Sequence, residues 1–209
     1  MTDTDETPTG PQDRRIDMDS LKGLAHPLRV SLLDALSTYG AATASGLAER
    51  LGESSGATSY HLRQLAKHGF VREIDGRGSG RERWWERVPG SISLNSWALP
   101  DTAAARSASN LVMAEWERNR SKLLNDFLAH GTDDLPKAWL EVTNIATSNL
   151  HLTLEQLTDV NARLEAALDS VVDSYRGLRD PGSRPVQLHI NLFPVLDGTV
   201  VPDDQETTK

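Results

Sequence analysis

Cysteine is missing altogether from this sequence. Its absence excludes a disulfide framework, a thiolate nucleophile and any cysteine-ligated zinc or iron–sulfur centre. No apolar run approaches the roughly 18 residues that a membrane span needs, and the N-terminus lacks a basic-then-apolar leader, so no membrane partner is expected. Also missing are a glycine-rich phosphate loop, a Gly-x-Ser-x-Gly elbow and a His/Asp pair placed beside a nucleophile; no enzyme is expected. The reading these absences leave is a soluble, cytoplasmic protein.

Positive charge is scarce overall, with a formal net charge of −8, which looks hostile to nucleic acid. The charge is unevenly distributed. Residues 1–19 carry two basic and six acidic groups, and residues 91–209 carry ten and seventeen. Residues 20–90 carry ten basic against seven acidic, a local excess of +3. A local field matters more than the total for attracting a polyanion. The polar ends, 1–16 and 197–209, read as disordered tails.

Between the tails, "MDSLKGLA" predicts a short helix. "HPLRVSLLDALSTYG" predicts another, with Pro27 at its first turn, Gly40 past its end, and Leu28, Leu32, Leu33 and Leu36 on one stripe. "TASGLAERLG" is a short amphipathic helix with Leu47, Ala48 and Leu51 inward. A further helix over 54–68 starts with Ser54 as N-cap. "FVREID" and "RERWWERV" then read as strands around "GRGSG". Helices followed by a basic-tipped hairpin describe a winged helix-turn-helix.

On the helix from Ser54, Thr58, Leu62 and Leu65 share a core-facing side, and Ser55, Ser59, Tyr60, Arg63 and Lys67 occupy the other. Small residues at its start (Ser55, Gly56, Ala57) suit entry into a major groove about 12 Å wide. The first-turn amides favour a phosphate there. In the wing, 76–83, Arg77 lies at the tip, and Arg81 and Arg83 alternate along the second strand with Arg87. Trp84 is expected to seal the hairpin on the core, and Trp85 to share the arginine face. The candidate DNA-binding set is therefore Ser54, Ser55, Gly56, Ser59, Tyr60, His61, Arg63, Lys67, Arg77, Arg81 and Arg83; for His61 a packing role competes with phosphate contact. His68 is expected on the surface near the helix end.

The stretches "LAHPLRVSLLDAL" and "ASGLAERLGESSGATSYHLRQLAKHGFV", with the wing after them, resemble the ArsR-type winged-helix regulators. The recognition pattern of that family, Ser-x-His-Leu-x-x-Leu-x-x-x-Gly-Leu-Val, falls on Ser59, His61, Leu62, Leu65, Gly69, Phe70 and Val71, with Phe70 where the pattern has Leu. The resemblance covers residues 17–90. It implies a regulator of transcription, mostly a repressor, and a phosphate contact at His61. The metal-responsive members use His and acidic residues on a C-terminal helix, or Cys in the helix before the recognition helix. Here that helix reads Gly46-Leu47-Ala48-Glu49-Arg50-Leu51, so neither a metal nor another cofactor is expected.

The second half alternates in type. Residues 101–130 keep a helical period from Ala108 to Leu128, with Gly131 expected to close the helix. Residues 139–152 read as a strand. The segment "LTLEQLTDVNARLEAALDSVVDSYRG" is a helix with capping-box spacing at Thr153 and Gln156. "RPVQLHINLFPV" reads as a strand ended by Pro194. The expected fold class is mainly α with α+β elements: a winged helix-turn-helix over 17–95, then a helical α+β dimerisation or effector domain over 101–196. The C-terminal helices are expected to pair two copies on a palindromic double-stranded operator with half-sites roughly 34–36 Å apart. The second domain also leaves room for a small-molecule effector, which the sequence does not name. The competing function is a winged helix that binds proteins within an assembly and ignores DNA.

Overall fold

The structure is a computed structural model; it describes residues 14–77, 82–90, 92–94 and 98–199. The chain divides into two units, 1–143 and 144–209.

In the first unit, β1 (Arg14–Arg15) leads to α1 (Met18–Leu24), whose N-cap Asp17 accepts the Ser20 amide at 2.8 Å. In α2 (Pro27–Tyr39) the proline supplies a first-turn residue that has no amide to satisfy. Two-residue β2 (Ala42–Thr43) runs into α3 (Ala44–Leu51), and Thr43 caps it by accepting the Gly46 amide at 3.1 Å. Gly52, at φ 69°, takes the left-handed turn that ends α3. Ser54 then caps α4 (Ser55–Lys67), accepting the Ala57 amide at 3.2 Å. Strands β3 (Val71–Ile74) and β4 (Trp84–Arg87) form the wing; with β2 they make an antiparallel sheet ordered β2-β4-β3. β5 (Ile92–Ser93) pairs in parallel with β1.

The core lies where α1, α2, α3 and α4 meet the sheet. Leu21, Leu24, Val30, Leu32, Leu33, Leu36, Leu47, Leu62, Leu65, Phe70, Val71 and Trp85 are buried together. Side chains of this kind contribute about 1.5–3 kcal/mol each when fully buried. The leucine stripe expected on α2 is there, and so is the inward face of α4. The long helix α5 (Ala103–Asp134) packs on α1 and α2 and adds Val112 to this core. That is why the first unit runs well past the expected boundary at 95–101. The helix also continues through Gly131, which is buried beside Phe127 rather than serving as a stop.

The fold class is as expected: mainly helical, with a small antiparallel sheet and an N-terminal winged helix-turn-helix. The two C-terminal strands are not formed. Residues 137–141 make a short helix, α6 (Lys137–Glu141), and among the described residues 142–152 and 184–195 join no sheet. Alternating apolar residues suit a strand, but a strand exists only where another supplies the ladder. The second unit's regular element is α7 (Leu154–Tyr175), whose capping box is present in both directions: the Thr153 hydroxyl accepts the Gln156 amide at 3.2 Å, and the Gln156 side chain accepts the Thr153 amide at 2.9 Å.

Candidate nucleic-acid interface

Helix α4 is two-faced. Thr58, Leu62 and Leu65 are fully buried, while Ser55, Gly56, Tyr60, Arg63 and Lys67 are exposed and Ser59 is half-buried. The helix therefore presents small residues at its start and cations further along, as the sequence pattern requires. Ser54 is committed to its cap. Arg63 donates through Nε to the Ser59 carbonyl at 3.1 Å, which holds the side chain along the helix.

His61 lies under this surface. Only 9 % of it is exposed, its ring meets that of His26 at 4.2 Å, and Tyr60 stands edge-on at 5.0 Å. Burial, aided by His26 and the Arg29 guanidinium, pushes its pKa below the usual histidine range. This placement packs the ring between α4 and the start of α2. His26 caps α2 through Nδ1, which accepts the Leu28 amide at 3.2 Å, so the pair joins the start of α2 to the middle of α4. His68 also departs from expectation. Its ring fits against Gly23 of α1, and Nδ1 lies 3.2 Å from the Asp19 carboxylate. A Cβ at residue 23 would lie 2.6 Å from the ring, so only glycine admits this approach. His61 and His68 thus pack between α4 and its neighbours, one against His26 and the other against Gly23 and Asp19.

In the wing, the tryptophans exchange the roles expected of them. Trp85, opposite Ala42 and Glu73 on the middle strand, is buried. Trp84 is half-exposed and carries the Arg77 guanidinium 4.0 Å above its ring. Alternation assigns Trp85 and the arginines to one face, but it does not say which face turns inward. At the ends of that face, Arg87 donates to the Gly90 carbonyl, and Arg83 meets Glu73 at 3.3 Å. The Arg83–Glu73 pair is exposed, and pairs of that kind are worth little; the guanidinium can exchange its partner for a phosphate. Arg81 lies outside the described residues.

Sequence reasoning missed one feature. Between the start of α3, α4 and β4 lies a cleft of about 290 Å³ lined by Thr43, Ser45, Ser59, Arg63, Glu82 and Arg83, with Trp85 beside them. It joins α4 to the wing in one polar surface. The signal for Ser45 was its position on the first turn of α3, where side chains and amides face outward together.

Residues 24–74 match a family model described as a helix-turn-helix domain. The chain carries a winged helix-turn-helix. The match is to that domain and not to ArsR-type proteins in particular. Similar solved structures include a transcriptional regulator from Thermotoga maritima, 12% identical over 74% of this chain and 81% of that one, with a TM-score of 0.29. A MarR family regulator from Neisseria meningitidis is 14% identical over 70% and 76%, with a TM-score of 0.30. A MarR family transcriptional regulator from Silicibacter pomeroyi is 20% identical over 73% and 75%, with a TM-score of 0.28. The chain matches no curated protein. Among the described residues no three metal-ligating side chains gather, and no helix is long and apolar enough to cross a membrane.

Proposed function

We propose that this chain is a sequence-specific regulator of transcription that binds double-stranded DNA, reading the major groove with α4 and holding phosphates with the wing. One observation carries this reading: α4 buries Thr58, Leu62 and Leu65 while leaving Ser55, Gly56, Tyr60, Arg63 and Lys67 outward, and Ser59 and Arg63 line one cleft with Arg83 of the wing. A helix placed only for packing needs no such row of small residues followed by cations. The contacts assigned are the exposed members of the candidate set, with Ser45 and Thr43 of the cleft added. His61 is assigned to positioning. The cations of this face give affinity that falls steeply with salt, because each phosphate contact releases counterions.

The finer reading is an ArsR-type repressor. Its support is the correspondence of Ser59, His61, Leu62, Leu65, Gly69 and Val71 to that family's recognition pattern. A winged helix over a promoter blocks polymerase by occupying the site. Residues 17–95 bind DNA in this scheme, and 101–196 pair two copies on a palindrome and provide whatever effector response exists. No catalytic role is assigned.

The test is selection of bound duplexes from a random pool, followed by titration of the winner in graded salt. A recurrent palindrome with half-sites about one helical turn apart is expected. Failure to bind any duplex at low salt ends the proposal.

A further inference from the structure

Two histidines meet where α4 rests on α2. The His61 ring lies against the His26 ring, with centroids 4.2 Å apart and planes tilted by 36°. Both rings suit this contact only while uncharged. His26 Nδ1 accepts the Leu28 amide at 3.2 Å and so caps α2. A proton on that nitrogen removes the acceptor and sets a cation at a helix N-terminus, where the dipole opposes it. His61 Nδ1 is closed off from solvent and has no hydrogen-bond partner among the described residues. A proton there makes a buried charge with nothing to accept it.

The surroundings sharpen this conflict. On α2, Arg29 adds a second positive group beside the pair, its Nη1 donating to the Lys22 and Gly23 carbonyls at 3.1 and 2.8 Å. On α4, Tyr60 stands edge-on to His61 at 5.0 Å and brings no carboxylate. Glu53, ahead of α4, is the group that favours a charged ring, and it is exposed. Burial first, then His26 and Arg29, hold the His61 pKa below the ordinary histidine range. His68, the other ring packed under α4, differs, because the Asp19 carboxylate lies 3.2 Å from its Nδ1.

We propose that the His26–His61 contact is a proton-sensitive latch: it closes α4 onto α2 at neutral pH, opens in mildly acid surroundings, and thereby weakens duplex binding. The sign follows from linkage. The folded chain holds the His61 proton less tightly than the unfolded one. Stability present above the ordinary value near 6.5 is therefore lost as the pH falls below it, until the lower folded value is passed. Leu62 and Leu65 still anchor α4 in the core, so the opening loosens the helix rather than unfolding it. The loss of duplex binding rests on the proposed function; the opening itself does not. A phosphate contact at His61 would have the opposite sign, since a charged ring then strengthens binding.

The test titrates the full chain with the selected duplex at about pH 7.5 and about pH 5.5, at constant ionic strength. Wild-type affinity should fall by on the order of tenfold on acidification. His61→Phe keeps a ring and takes no proton, and its affinity should change less than about a third as much. His151→Gln, exposed in the second unit, should show the full wild-type fall. Contributions from other titrating groups are common to these proteins and cancel in the comparison. Tighter wild-type binding in acid, or an undiminished fall in His61→Phe, overturns the proposal. Should His61→Phe not fold, nuclear magnetic resonance of the wild type without DNA decides. The His61 ring should titrate below the ordinary histidine range, and the Leu28 and α4 amide signals should shift over the same step. Amides that do not follow the ring overturn the proposal. A chain that shows this step yet binds no duplex keeps its latch and loses only the regulatory function.

Discussion

The two units of this chain use similar amphipathic patterns with different results. In the first, the stripes of α2 and α4 are covered on all sides by α1, α3, α5 and the sheet, and most of their leucines are inaccessible to water. In the second, α7 keeps an equally regular stripe of which no residue is fully buried, and Leu154, Leu164, Val171 and Tyr175 stay exposed. An apolar period says that a helix has a face to hide; it does not say whether the cover comes from the same chain. The first unit is built to hold a surface still, and the second has unmet contacts.

The sharpest way to break that contrast is to truncate one leucine in each unit. Leu62 is 0 % exposed and Leu154 is 81 % exposed. Leu62→Ala should cost about 2–5 kcal/mol through lost burial and the cavity left behind. Leu154→Ala should stay within about 0.5 kcal/mol. Urea denaturation of both variants measures the difference, and equal losses would mean that the second unit has a core after all. Charge reversal gives the next largest contrast. Arg63→Glu on α4 should weaken binding of the selected duplex by roughly a hundredfold, while Arg179→Glu, exposed in the second unit, should change it less than about threefold. Titration at two salt concentrations reads both, and the Arg63 variant should also show a shallower salt dependence.

The same contrast explains what could be read before the fold was seen. The α2 leucines, the cap at Ser54 and the buried side of α4 were legible because local period and capping chemistry are enough to specify them. The Trp84 and Trp85 roles were not, because strand alternation is symmetric about the sheet and only the tertiary contacts of β4 choose the inner side. His61 and His68 were hidden for a related reason: a polar ring that packs looks, in sequence, like one that binds. The fit of His68 depends on Gly23, far away in the chain and ordinary in its local context. The C-terminal strands failed because 186–192 has the right alternation but no partner strand to complete a ladder. The cleft beside Ser45 arises from three elements brought together by the fold, and no single stretch announces it.

Gly23 offers a narrower test of how the first unit holds its reading helix. Gly23→Ala should destabilise by about 1–3 kcal/mol, because the new methyl meets the His68 ring. Combining it with His68→Ala should return part of that loss by vacating the space. If Gly23→Ala is neutral, α1 and α4 do not hold each other at this point, and the position of the helix has to be explained through His26 and His61 alone.

The smallest effect concerns the joint through which α5 belongs to the first unit. Asp34 of α2 accepts a hydrogen bond from the Asn119 amide of α5 at 2.6 Å. Burial pushes its pKa up from 3.8 to about 6, against the opposing pull of the Asn119 hydrogen bond and of Arg120 and Arg87. The folded chain therefore holds this proton more tightly than the unfolded one. By linkage, its contribution to stability is greatest below the unfolded value near 4 and is lost as the pH rises through about 6. At pH 7 the ionised carboxylate should cost about 1–2 kcal/mol, reduced by its partial exposure. Asp34→Asn keeps an acceptor for Asn119 and removes the charge. It should raise stability at pH 7 by on the order of 1 kcal/mol and flatten the decline between pH 4 and 6. Urea midpoints at pH 4, 5, 6 and 7 measure this. Parallel curves for the two proteins would show that water reaches Asp34 freely and that α5 rests on α2 more loosely than its buried residues indicate.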